Sequence, residues 1–167
     1  MKWLLSLIAL SFGLIASAQV DSTTPPYKKY PTLPPLQLLL SDSITKYTKE
    51  NIPNKKPVWI ILFSPDCSHC QQTAEELVKY KKELKDLHIV MASMFSIKQI
   101  KDFEATYQLS QLSNLTIGKD IYFLIPPFYD VKSLPFMAFY NKKGNLISVF
   151  EGSMPVSKVI QLFKDHK

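Results

Sequence analysis

Val58-Trp59-Ile60-Ile61-Leu62-Phe63-Ser64-Pro65-Asp66-Cys67-Ser68-His69-Cys70 is the stretch on which the reading of this chain turns. Six apolar residues in a row, Val58 to Phe63, describe a strand buried on both faces. Ser64-Pro65-Asp66 ends it. From Ser68 to Asp86 the pattern becomes helical, with Ala74, Leu77, Val78 and Leu84 on one side. The cysteines therefore sit at a strand-to-helix junction. Three positions apart at a helix N-terminus, they come within disulfide range. Cys67 lies at the positive end of the helix dipole, beside unsatisfied N–H groups that stabilise a thiolate, and is expected to be the exposed nucleophile. Cys70, one turn further in, is expected to be shielded and to resolve a mixed disulfide. His69 between them favours the thiolate further when protonated or when it donates a hydrogen bond.

Working outward, Ile89 to Met94 reads as a second buried strand, and Ile97, Ile100, Phe103 and Tyr107 recur at helical spacing. That β-α-β-α run implies parallel strands with right-handed crossovers. Upstream, Leu36–Leu40 and Ile44–Thr48 flank Ser41-Asp42-Ser43 and predict a hairpin. Downstream, Leu115–Ile117 fits a short strand. Ile121–Ile125 fits either a strand or one or two helical turns ahead of Pro126-Pro127. Phe136–Tyr140 and Leu146–Phe150 enclose Asn141–Asn145, a hairpin with Gly144 available for a positive-φ position. Val156, Val159, Ile160 and Phe163 line one face of a closing helix. The fold class is α/β: a mixed central sheet flanked by helices, with an N-terminal β-hairpin extension.

The first eighteen residues follow another plan. Met1-Lys2 is a short positive start, Trp3 to Ile15 is almost wholly apolar, and Ala16-Ser17-Ala18 fits a cleavage site. This is the layout of a secretory signal peptide, its apolar run too short for a spanning helix. Residues 19–35 hold five of the twelve prolines and read as an extended tether. Residues 36–167 form the domain. Export to the periplasm or the exterior allows a disulfide to persist. Membrane attachment is expected only if the leader stays uncleaved. The 167 residues, 46% hydrophobic and 20% charged, suit one globular domain, and two cysteines exclude a disulfide-stapled scaffold. The net charge is +6, carried by lysines alone, which argues against nucleic acid because base and phosphate recognition favours arginine. The lysine clusters read as solvated surface with a weak attraction to anionic membranes or acidic partners.

Phe63 to Cys70 resembles the active-site segment of thioredoxin-like proteins, and more closely that of the exported TlpA-like thiol-disulfide oxidoreductases of Bacteroidetes type. The resemblance spans about Leu36 to Lys167 and continues through Leu134-Pro135, Phe136–Tyr140, Lys143-Gly144-Asn145 and Glu151-Gly152. It implies that Pro135 has a cis peptide bond, faces the cysteine pair and lies beside backbone that pairs with a substrate chain. It also implies disulfide exchange with exported client proteins, a partner thiol-disulfide protein as electron donor or acceptor, a monomer, and no dissociable cofactor. The chain departs from the family at Ile61 and Thr73, where relatives carry acids that serve Cys70, and at Ser68, where a proline is common.

Two other readings use the same cysteines. A Cu(I)- or Zn-binding role would take Cys67, Cys70 and a histidine. Only His69, His88 and His166 exist; His88 reads as solvent-facing or capping and His166 as tail. A thiol peroxidase would match Ser64 but not Ile60. The aromatics Tyr122, Phe123, Phe128 and Tyr129 read as packing, with some available as an apolar wall for a client.

Overall fold

The computed structural model describes residues 24–166. The leader and the first residues of the proline-rich segment lie outside them. In chain order the elements are α1 (Pro26–Lys29), β1 (Gln37–Leu40), β2 (Lys46–Thr48), β3 (Val58–Leu62), α2 (Ser68–Lys79), β4 (His88–Ser93), α3 (Ile97–Thr106), β5 (Leu115–Asp120), α4 (Ile125–Tyr129), β6 (Phe136–Tyr140), β7 (Leu146–Glu151) and α5 (Val156–Asp165). The strands form one mixed sheet in the order β2-β1-β5-β4-β3-β6-β7. β3, β4 and β5 run parallel; β6 pairs antiparallel with β3.

β3 has neighbours on both sides and helices or loops on both faces, so all five of its residues are buried. Alternation along the strand divides them. Trp59 and Ile61 face a cluster built with Leu77 of α2, Ile100 and Phe103 of α3 and Val159 and Phe163 of α5. Val58, Ile60 and Leu62 face a second cluster with Leu38 and Tyr47 of the hairpin and Ile125 and Tyr129 of α4. The hairpin turn is tied by the Asp42 carboxylate, which accepts from the N–H groups of Ile44 and Thr45. In β5, Gly118 stands where a Cβ would lie 2.8 Å from the carbonyl oxygen of Leu39, so only glycine lets β1 pair this closely.

Three expectations change. The second helix ends at Lys79, not Asp86. Leu84 and Leu87 still reach the core, through turns: the N–H groups of Glu83 and Leu84 both donate to the carbonyl of Tyr80. The Asn114 amide donates to the carbonyls of Leu84 and Leu87 at 2.8 Å and replaces the helical bonds. Secondly, the structure between Ile121 and Ile125 is a turn, and α4 takes both prolines into its first turn, where a missing N–H costs nothing. The Asp120 carboxylate, buried, accepts instead from Leu124 and Ile125. Thirdly, residues 24–35 are docked. Pro26–Lys29 is a helical turn, and Tyr27 packs on Tyr129 with ring centroids 5.7 Å apart. Thr32 bridges to Asn145, and Leu33 packs against the second cluster. The apolar side chains between the prolines hold the segment down, which a proline count does not register.

Candidate active site

The C-terminal end of β3 and the N-terminal end of β6 lie side by side, because Leu62 pairs with Phe136. This brings two loops together. Phe63 extends the strand by donating to the carbonyl of Ala92; the chain then crosses through Ser64-Pro65-Asp66 to Cys67, the N-cap of α2. Cys67 N donates to the Ser64 carbonyl at 3.2 Å, and the Gln71 side-chain amide donates to the Pro65 carbonyl at 2.9 Å. The crossing is therefore fixed from both ends. On the other side, the Leu134–Pro135 peptide is cis. The Leu134 carbonyl accepts from Cys67 Sγ at 3.7 Å. Gly152 N donates to the Pro135 carbonyl at 2.8 Å, and the Glu151 carboxylate accepts from Lys132 N at 3.1 Å and Ser133 Oγ at 3.0 Å. The proline loop is thus tied to β7.

The sulfurs differ in surroundings. Both thiols are free; Cys67 is half-buried and Cys70 is 1% exposed. Burial, then the hydrogen bond and charge of Cys67, push the Cys70 thiol up to about 12, and backbone near Ser64 offsets part of this. Cys70 therefore holds its proton while Cys67 faces the Leu134 carbonyl. His69 is on the exposed side of the first turn of α2, and no hydrogen bond joins its ring to either sulfur.

The profile of the thioredoxin-like domain family matches residues 44–167. The chain belongs to that family. Solved structures show the same fold at low identity. A secreted Mycobacterium tuberculosis disulfide oxidoreductase, homologous to E. coli DsbE, is 16% identical, with a TM-score of 0.65 over 78% of this chain and 95% of its own. A thioredoxin-family thiol:disulfide interchange protein from Chlorobium tepidum is 14% identical, with a TM-score of 0.67 over 80% and 94%. An exposed lipoprotein thioredoxin from Streptococcus pneumoniae is 23% identical, with a TM-score of 0.61 over 78% and 98%. A comparison with curated protein sequences gave no match.

Within this thioredoxin-like domain, the two positions where an acid is missing have other uses. Ile61 is core, fully buried. Thr73, 3% exposed, donates its hydroxyl to the His69 carbonyl at 2.9 Å and so serves the helix. The Glu76 carboxylate is engaged elsewhere: it accepts from Val156 N at 2.7 Å and caps α5, whose N-cap Pro155 has no side-chain oxygen. That pairing spans 80 positions and left one signal in sequence, a helix start without Ser, Thr, Asp or Asn. Neither the Leu134 carbonyl nor the Glu151 clamp was visible in sequence.

The histidines do not gather at the thiols. His88, expected at the surface, is buried and shares a 2.7 Å hydrogen bond with the Tyr47 hydroxyl through Nε2. It begins β4, whose side chains are covered along the whole strand, and the hairpin closes over it. Burial, with a smaller repulsion from Lys56, pushes its pKa down to about 4. Among the described residues no group of three or more His, Cys, Asp or Glu is placed to hold a metal ion.

Proposed function

We propose that the protein is an exported thiol-disulfide oxidoreductase that exchanges disulfides with other exported proteins through Cys67 and Cys70. The observation that carries this reading is the placement of Cys67 Sγ at 3.7 Å from the Leu134 carbonyl, next to the cis peptide, at the N-terminus of α2. The Cys67 thiolate attacks one sulfur of a client disulfide, and the other client sulfur leaves as a thiolate. Cys70 then gives up its proton to solvent and attacks Cys67 Sγ. The second client thiolate leaves, and the Cys67–Cys70 disulfide forms. Two electrons have passed to the client. A partner dithiol protein returns them, and no dissociable cofactor takes part. The reverse sequence oxidises a client dithiol.

The Pro135 loop pairs its backbone with the client chain, a short strand addition that holds the reacting sulfur against Cys67. His69 lies exposed beside the pair, within reach of an approaching client. The leader-like residues 1–18 and the secreted or exposed nature of two structural neighbours support export.

Reduction of insulin by dithiothreitol, with and without the protein, tests the reading. The wild-type chain accelerates insulin precipitation and Cys67→Ser does not. Equal rates for the two would end the proposal. Cys70→Ser is expected to accumulate mixed disulfides through Cys67.

A further inference from the structure

At the end of β3 away from the cysteines, beside Pro57, the domain carries a cavity of about 410 Å³, within the range of small-ligand sites. Its floor is apolar: Leu87 is 6% and Phe163 5% exposed, and Ile160 of α5 is half-buried. Its rim carries Lys55, Lys56, Lys142 and Lys164, all exposed. Among the described residues none of the four makes an ion pair within 4.0 Å, whereas Lys98 and Lys132 elsewhere are paired with Asp102 and Asp130. Glu83 and Asp86 also line the cavity, so four lysines stand against two carboxylates. A neighbouring hollow of about 140 Å³ continues the charge with Lys143 and with Lys49, which pairs with Glu50 at 4.0 Å. Lys55 adopts φ of +62°, a left-handed conformation that costs a non-glycine residue and persists where surroundings impose it.

We propose that this cavity binds a single-chain amphiphilic anion, its carboxylate or phosphate head among the lysines and its apolar body on Phe163, Ile160 and Leu87. Four lysines against two carboxylates leave the lining with an excess of positive charge, which attracts an anionic head. An apolar floor under a cationic rim selects a ligand with both parts. The concave shape favours a monomeric ligand over a bilayer, because a flat lipid surface meets the lysine rim and leaves the floor uncovered. Five residues of β3, at roughly 3.3 Å each, separate the site from the cysteine end, so the ligand does not compete with a client.

Calorimetric titration of the reduced full chain with sodium decanoate at low ionic strength tests this. The expected result is saturable one-to-one binding. It should weaken at least tenfold in the double variant Lys56→Ala, Lys142→Ala and, separately, in Ile160→Gln, both melting like the wild type. Inorganic phosphate lacks the body and decyltrimethylammonium has the opposite charge; each is expected to bind at least tenfold more weakly than decanoate. Unsaturable decanoate heats, binding untouched by both variants, or equal binding of decyltrimethylammonium would overturn the proposal. So would capture by phosphatidylglycerol vesicles without saturable decanoate binding, which would assign the lysines to a membrane surface.

Discussion

Cys70 and His88 are both buried titratable groups, set on opposite sides of the same sheet. Cys70 packs into the cluster with α2, α3 and α5. His88 shares a strand face with Val90 and Ala92, covered by Tyr47 from the hairpin. Burial is the first cause of both shifts and acts in opposite directions, raising the acid and lowering the base, so each group stays neutral. What differs is the neighbour. Cys70 sits against a second sulfur whose charge changes during the proposed exchange. His88 sits against a phenol hydroxyl, with Lys56 opposing any charge on it. Desolvation alone sets the resting form; the adjoining group decides whether leaving that form is a reaction step or a loss of structure.

The largest effect expected separates the two sites by activity. Insulin reduction should fall to background in Cys67→Ser and to single turnover in Cys70→Ser, and should persist at pH 7 in His88→Gln. Loss of turnover in His88→Gln would break the comparison.

Stability against pH sharpens it. The folded His88 titrates near 4 against 6.5 unfolded, so the unfolded chain binds the extra proton between these values. The contribution is fully present above pH 6.5 and lost as pH falls through 4. The difference between the two values corresponds to a loss on the order of 3 kcal/mol or less. Urea unfolding at pH 7 and at pH 4 measures it, and His88→Gln should flatten the difference. Cys70 has the opposite sign. Its folded value lies above the ordinary 9.0, so its contribution is present below pH 9 and lost toward pH 12, in the reduced chain only. An oxidised chain with the same alkaline loss would refute that assignment.

Two smaller effects concern what holds each group in place. Gly118→Ala drives a Cβ against the Leu39 carbonyl and disturbs the hairpin that carries Tyr47. A loss of about 1–3 kcal/mol is expected, with His88 becoming easier to protonate by NMR titration. Glu76→Ala uncaps α5 and loosens its contact with α2, at about 1 kcal/mol by thermal or urea unfolding.

The central part of this architecture was legible because local signals and burial agree there. Val58–Leu62 has no polar residue to mislead, and Cys67 follows a strand stop and opens a helical pattern. The legible signals end where distant side chains take over backbone bonding. Leu77 and Leu84 are seven apart, so they look like one helical face, yet Asn114, 30 positions from Leu84, supplies the bonds that let the chain leave the helix. Pro126-Pro127 reads as a barrier, but Asp120 satisfies the N–H groups just ahead of it and the helix starts there. His88 looked like a polar strand end because the residue that buries it, Tyr47, lies 41 positions upstream. At the cysteines the difficulty was similar: the spacing was local, while the carbonyl facing Cys67 comes from Leu134.

The ties between β7 and the proline loop have a consequence for binding entropy. Lys132 and Ser133 are held by Glu151, and Pro135 by Gly152, within the folded protein itself. The loop gives up its conformational freedom when the domain folds, and not on arrival of the client chain proposed to pair with it. An incoming chain then loses only its own freedom and the translational freedom of encounter. Short-lived complexes with clients of varied sequence become admissible, since little ordering of the enzyme has to be offset by side-chain contacts.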